Sequence, residues 1–159
     1  WIIHVTGHLD HDMVVDARRG MDPERAARWI VRSYLGDADM AAALAAADLA
    51  VSRAGAAVLG EFPARGLPAI LVPLELAAGH QANNAAVLAG AGAAVVLDNA
   101  SLSGDVLAEA VGGLLSDPDR RDSMAAAAAA LDEPGAAAAV WQSFAALARG
   151  NAALEGRTQ

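Results

Sequence analysis

The chain has 159 residues, enough for one domain with a real core, and 55% of them are apolar against 19% charged, which excludes a disordered chain. No apolar run reaches the ~18 residues a membrane span needs, and the lack of Cys excludes disulfides, thiolate metal sites and a Cys nucleophile. A net charge of −8 disfavours nucleic acid as a partner.

All 11 basic residues are Arg and 43 residues are Ala, a bias that a GC-rich coding sequence explains and that inflates apparent helix propensity. The opening run Trp1-Ile2-Ile3-His4 has neither the basic flank nor the cleavage site of a signal peptide. It begins on strand-like residues without Met, as expected for a piece of something longer.

Taken in order, Ile2–Thr6 reads as a short buried strand ending at Gly7. Asp10–Arg19 is a weak helix candidate, and Pro23 is placed to open another. Trp29–Leu35, aromatic and β-branched, predicts a strand. Asp39–Ala47 predicts a helix with Asp39 as its N-cap, and Leu49–Ser52 a strand. Gly55–Phe62 predicts a helix that Pro63 kinks or ends, with a stop at Gly66. Ala69–Val72 is an apolar strand closed by Pro73. Gln81–Ala89 is a helix, Ala93–Leu97 a strand, and Ser103–Leu115 a helix capped by Ser103. Asp117-Pro118 interrupts the chain before two last helices, Asp119–Leu131 and Pro134–Arg149. Residues 1–149 thus read as one domain and 150–159 as a frayed tail.

Short apolar strands alternating with helices predict an α/β fold, a Rossmann-like parallel sheet with helices on both faces. Ligands of such sheets bind outside the carboxyl ends of the strands. That rule points to the loops after Thr6, Leu35, Ser52, Pro73 and Leu97. The stretch from Ser52 to Glu61 runs from a strand end into a helix through small residues, which let a ligand approach the backbone. Free N–H groups at such a helix start suit a diphosphate. Glu61, about two turns beyond Ala54 in that helix, could accept hydrogen bonds from a ribose diol. Tight packing and a solvated carboxylate are the plainer readings of the same residues. A second loop leads from Val72-Pro73 to His80, Gln81 and Asn84, and the two amides either read sugar hydroxyls or cap the next helix. A third stretch, from His4 to Asp12, holds three His and two Asp, but their spacing matches no helical metal site, so no metal is expected there. No nucleophile elbow, Walker loop or zinc-protease motif is present.

Arg53-Ala54-Gly55-Ala56 with Glu61, then Gly66-Leu67-Pro68 and Val72-Pro73, then Gln81-x-x-Asn84-Ala85, resemble the donor half of GT-B glycosyltransferases, and within them the MurG family of bacterial lipid II-forming transferases. The likeness runs from the His4–Gly7 strand end through Val95–Leu97 into the last helices. It implies the C-terminal half of a GT-B fold, lacking its first strand. It also implies an inverting enzyme that moves N-acetylglucosamine from UDP-N-acetylglucosamine to undecaprenyl-diphosphate-muramoyl-pentapeptide, with no cofactor.

On this resemblance Thr6 and Gly7 meet the diphosphate, and the main chain of Leu35 reads the uracil. Gly55, Ala56, Ala57 and Val58 form the helix start at the phosphates, and Glu61 holds the ribose. His80 and Gln81 stand where the family has a Gln-Gln pair for the sugar, and Asn84 follows in the same helix. Ala57 and Val58 lack the hydroxyls of many relatives, which leaves phosphate binding to backbone N–H groups. The catalytic base and the acceptor site belong to the other half, so no catalytic residue is expected in this chain. The lipid-linked acceptor and a peripheral seat on the cytoplasmic face of the membrane come through that half as well. Another GT-B glycolipid transferase, or a non-catalytic donor-binding subunit completed by a membrane-anchored partner, would carry similar loops.

Overall fold

The computed structural model describes residues 1–74 and 79–155. The chain forms two compact units, residues 1–47 and 48–159. Among the described residues no helix is long and apolar enough to cross a membrane.

In the first unit, β1 (Ile2–Val5) pairs in parallel with β2 (Trp29–Arg32), Ile2 facing Trp29 and Val5 facing Arg32. The crossover carries α1 (His11–Arg19) and α2 (Pro23–Ala27), and α3 (Asp37–Ala46) follows β2. The start of α2 is fixed by Asp22, whose carboxylate accepts from the Glu24 and Arg25 N–H groups at 3.1 and 3.2 Å, with Pro23 in the first turn. β1 is not the buried strand its apolar run predicts, because Ile2, Ile3 and Val5 are all exposed. Its only ladder partner among the described residues is β2, so one edge has no neighbour. β2 ends at Arg32, which places Leu35 in the loop beyond it. Nor does Asp39 cap α3: the helix begins at Asp37 after Gly36, and both aspartates sit in its first turn, where they complement the helix dipole.

The second unit is built on β3 (Ala50–Ser52), β4 (Ala69–Leu71) and β5 (Ala94–Val96), all parallel, with β4 in the centre. The register aligns Ser52, Leu71 and Val96, so the three strands end along one edge. Central β4 is buried throughout, as a parallel strand covered on both faces should be. Side chains alternate along it. Ile70 packs with Leu114 of α6 (Gly104–Leu115) and Met124 of α7 (Pro118–Ala129) on one face. Ala69 and Leu71 turn to the other. α5 (His80–Gly90), which buries Ala85 and Leu88, lies against β5 and against α4 (Val58–Glu61).

Capping is explicit where the sequence supplies a short polar residue before a helix. Ser103 accepts from the Val106 N–H at 3.2 Å and Asp117 from the Arg120 N–H at 3.0 Å. Arg121 of α7 reaches back to the last carbonyls of α6, Leu114 and Leu115, both at 2.7 Å.

The helix expected over Gly55–Phe62 is much shorter. Residues 53–57 are loop and turn, α4 is one turn, and Pro63–Arg65 tightens into a 3-10 turn. Gly55 and Gly60 favour the helix poorly, and Pro63 cannot donate to continue it. Gly66 then takes φ +56°, and a Cβ there would lie 3.3 Å from the Ala125 carbonyl of α7. The last helix, α8, runs from Ala136 to Glu155, past the Arg149 at which the sequence reading stops it. Residues 156–159 of the expected tail lie outside the described residues.

Candidate functional site

The aligned ends of β3, β4 and β5 open onto the loops that begin at Arg53, Val72 and Leu97. Backbone bonds extend the ladder one residue past the strands: the Val72 N–H donates to Ser52 and the Leu97 N–H to Leu71, each at 2.9 Å. The loops therefore leave the sheet together.

The β3 loop is the centre of the arrangement. Ala54 is fully buried beneath it. Gly55 is half-buried, Ala56 and Ala57 are exposed, and no intramolecular acceptor engages the N–H groups of these two alanines among the described residues. Val58 differs from them. Its side chain is buried in the core, and its N–H donates to the Gly55 carbonyl at 3.3 Å. Glu61 closes α4 rather than standing two turns into a helix, because the helix starts only at Val58. Its carboxylate is exposed and has no intramolecular partner among the described residues. With one turn of helix behind the loop, the available attraction for an anion comes from individual N–H groups rather than from a long macrodipole.

Two side chains fasten this loop, one of its own and one from α5. Arg53 donates through Nη1 to the Val72 carbonyl at 3.1 Å and to the Asn99 Oδ1 at 2.5 Å, joining the exits of all three strands. Asn84 of α5 donates through Nδ2 to the Ala54 carbonyl at 2.9 Å. Gln81, half-buried, accepts from the Leu74 N–H through Oε1 at 2.9 Å, which leaves its NH2 group for other partners. Neither Gln81 nor Asn84 caps α5, whose first residue follows Gly79 in the left-handed region without a side-chain cap. His80, at the first position of α5, is exposed. The structure thus ties Asn84 to the loop of Gly55–Val58 through the Ala54 carbonyl, whereas Gln81 is held by Leu74 and no side-chain bond among the described residues links Glu61 to them. The sequence reading singled out neither Arg53 nor Asn99 as a site residue. Arg53 stood directly behind β3 at the head of the motif quoted above, and Asn99 lies three residues past the end of β5.

In the first unit, Thr6 and Gly7 stand at the end of β1 and Leu35 lies beyond the parallel end of β2. The Thr6 N–H donates to the Arg32 carbonyl at 2.9 Å, and its hydroxyl bonds the Gly7 carbonyl at 2.8 Å and lies 3.3 Å from the His11 Nδ1. Gly7 adopts φ +72°, a turn that a side chain would strain. The other histidines have aromatic neighbours: His4 stacks on Trp29 and His8 on Tyr34.

Known proteins share this architecture. Residues 2–140 match the family model of the glycosyltransferase family 28 C-terminal domain. The UDP-N-acetylglucosamine–N-acetylmuramyl-(pentapeptide) pyrophosphoryl-undecaprenol N-acetylglucosamine transferase of Moorella thermoacetica is 41% identical over 144 residues, 89% of this chain and 38% of that protein. The transferase of the same name from Gloeobacter violaceus is 44% identical over 138 residues, 86% of this chain and 37% of its own length. The crystal structure of Acinetobacter baumannii MurG superposes with a TM-score of 0.71 at 30% identity, covering 87% of this chain and 39% of that one. The chain therefore spans less than two fifths of the length of these relatives. With the match running through nearly all of both units, the chain belongs to the glycosyltransferase family 28 C-terminal domain family.

Proposed function

We propose that the chain is the donor-binding half of an inverting glycosyltransferase that moves N-acetylglucosamine from UDP-N-acetylglucosamine to undecaprenyl-diphosphate-muramoyl-pentapeptide, forming lipid II for peptidoglycan. Residues 1–149 are the donor domain and 150–159 its tail. The observation that carries the reading is the family match over residues 2–140, joined to relatives whose names state this transfer.

The site chemistry is consistent with it. The free N–H groups of Ala56 and Ala57 meet the diphosphate, and the remaining Arg53 donors add a positive charge beside it. Glu61 accepts from the ribose diol. The Gln81 NH2 group and His80 face the sugar hydroxyls, with Asn84 behind them. Within the first unit, the resemblance gives Thr6 and Gly7 a diphosphate contact and the Leu35 main chain a uracil contact.

In the reaction, a base in the acceptor half takes the proton of the acceptor hydroxyl while that oxygen bonds the anomeric carbon. The bond from that carbon to the diphosphate breaks, and UDP leaves with the electron pair. Charge grows on the diphosphate as this happens, and N–H groups already fixed in the β3 loop stabilise it without reorganising. The lipid-linked acceptor and the peripheral contact with the cytoplasmic face of the membrane belong to the acceptor half.

Titration calorimetry of the full-length protein with UDP-N-acetylglucosamine tests the reading. Binding that Glu61→Ala weakens supports it. Undiminished binding in that variant removes the ribose contact from it.

A further inference from the structure

We propose that Asn84 is a positioning residue, whose carboxamide holds the Ala54 carbonyl and so sets the Gly55–Ala57 turn, rather than a residue that touches the donor. The inference rests on the donor-site reading above and gives one of its residues a different part.

Ala54 is fully buried, so its carbonyl needs a partner inside the protein. The residues around it, 53–55, have no regular secondary structure to supply one. Asn84 supplies it from thirty positions away, at 2.9 Å, and is itself half-buried. One of the two Nδ2 hydrogens is spent on this bond, which turns the amine end of the carboxamide toward the Ala54 carbonyl. The turn beyond is held by short-range bonds: the Val58 and Leu59 N–H groups donate to Gly55 and Ala56, and those of Gly60 and Glu61 both to Ala57. Shifting Ala54 therefore shifts the whole ladder, including the exposed Ala56 and Ala57 amides. Arg53 fastens the same loop through Val72 and Asn99, the first bond part-buried like that of Asn84 and the second exposed. Asn84 is the anchor that reaches Ala54 itself.

The test uses Asn84→Asp, which keeps the shape but sets an oxygen against the Ala54 carbonyl, and Asn84→Gln, which retains an amide donor. In the full-length protein, Asn84→Asp is expected to weaken UDP and UDP-N-acetylglucosamine by the same factor, about three- to tenfold, the worth of one hydrogen bond. Amide exchange at Val58–Glu61 should quicken by a similar factor while β4 keeps its protection, and Asn84→Gln should recover part of both. A loss confined to UDP-N-acetylglucosamine with unchanged exchange would show that Asn84 reads the sugar and overturn the proposal. Unchanged exchange with unchanged affinity overturns it too. Should neither nucleotide bind the unsubstituted protein, the donor reading fails, yet the exchange contrast still decides whether Asn84 holds the turn. Asn84→Ser, too short to reach Ala54 but uncharged, carries the same comparison if Asn84→Asp loses β4 protection.

Discussion

A single amide in this molecule has two ends with separate duties. Gln81 accepts from the Leu74 N–H with its oxygen, and its NH2 group meets no acceptor among the described residues. Replacing it by Ala removes both, so two effects are expected together. The orphaned Leu74 N–H is part-buried, which costs about 1 kcal/mol of stability in denaturant unfolding. The lost NH2 weakens UDP-N-acetylglucosamine more than UDP. Equal losses for the two nucleotides would remove Gln81 from sugar reading and leave only its structural bond. Glu61 makes a cleaner case because nothing among the described residues uses its carboxylate. Glu61→Ala should leave stability within about 0.5 kcal/mol, as for most surface changes. It should lower donor affinity by about 1–3 kcal/mol, the range for hydrogen bonds to a charged group, as read by calorimetry.

At the scale of elements, turns show which sequence signals were binding. Gly66 follows a Pro-initiated 3-10 turn in the left-handed region, and α7 passes close enough that a methyl group would press on the Ala125 carbonyl. Gly66→Ala should therefore destabilise the second unit by about 1–2 kcal/mol, through left-handed strain with crowding added, measurable as a lower denaturant midpoint. The stop at Gly66 and the cap at Ser103 were legible because each depends on one residue's own stereochemistry, and the strand at Ala69 because a short apolar run lies between two prolines. The start of α3 was not, because Asp37 and Asp39 both suit a first turn and the local sequence does not choose between them. The length of α4 was misread for a related reason. Alanines promise a helix, but two glycines and Pro63 leave only one turn. The candidate site divides in the same way. The strand-end rule located the loops, whereas Asn84 on Ala54 and Arg53 on Asn99 join residues 30 and 46 positions apart, and no local pattern encodes a bond of that span.

For the whole molecule, burial is unevenly shared, and stability must follow it. Every residue of the first unit is exposed or half-buried, whereas β4 and the helices around it hold the fully buried Ile70, Leu71, Leu88 and Leu114. Local opening is cheapest where few apolar contacts must be broken. Ile70 lies at the centre of the core cluster with Leu114 and Met124, so Ile70→Ala should cost about 2–5 kcal/mol, since the rigid strand cannot collapse into the space. An equivalent truncation in β1, Ile3→Ala, removes an already exposed side chain and should cost well under half of that. The same contrast should appear without mutation. In hydrogen exchange of the 159-residue chain, β4 amides should exchange at least about a hundredfold more slowly than those of β1, because opening energies run from near zero at weakly packed segments up to the global value. Uniform protection across both ladders would mean that the two units unfold as one, and would detach stability from the buried area that separates them.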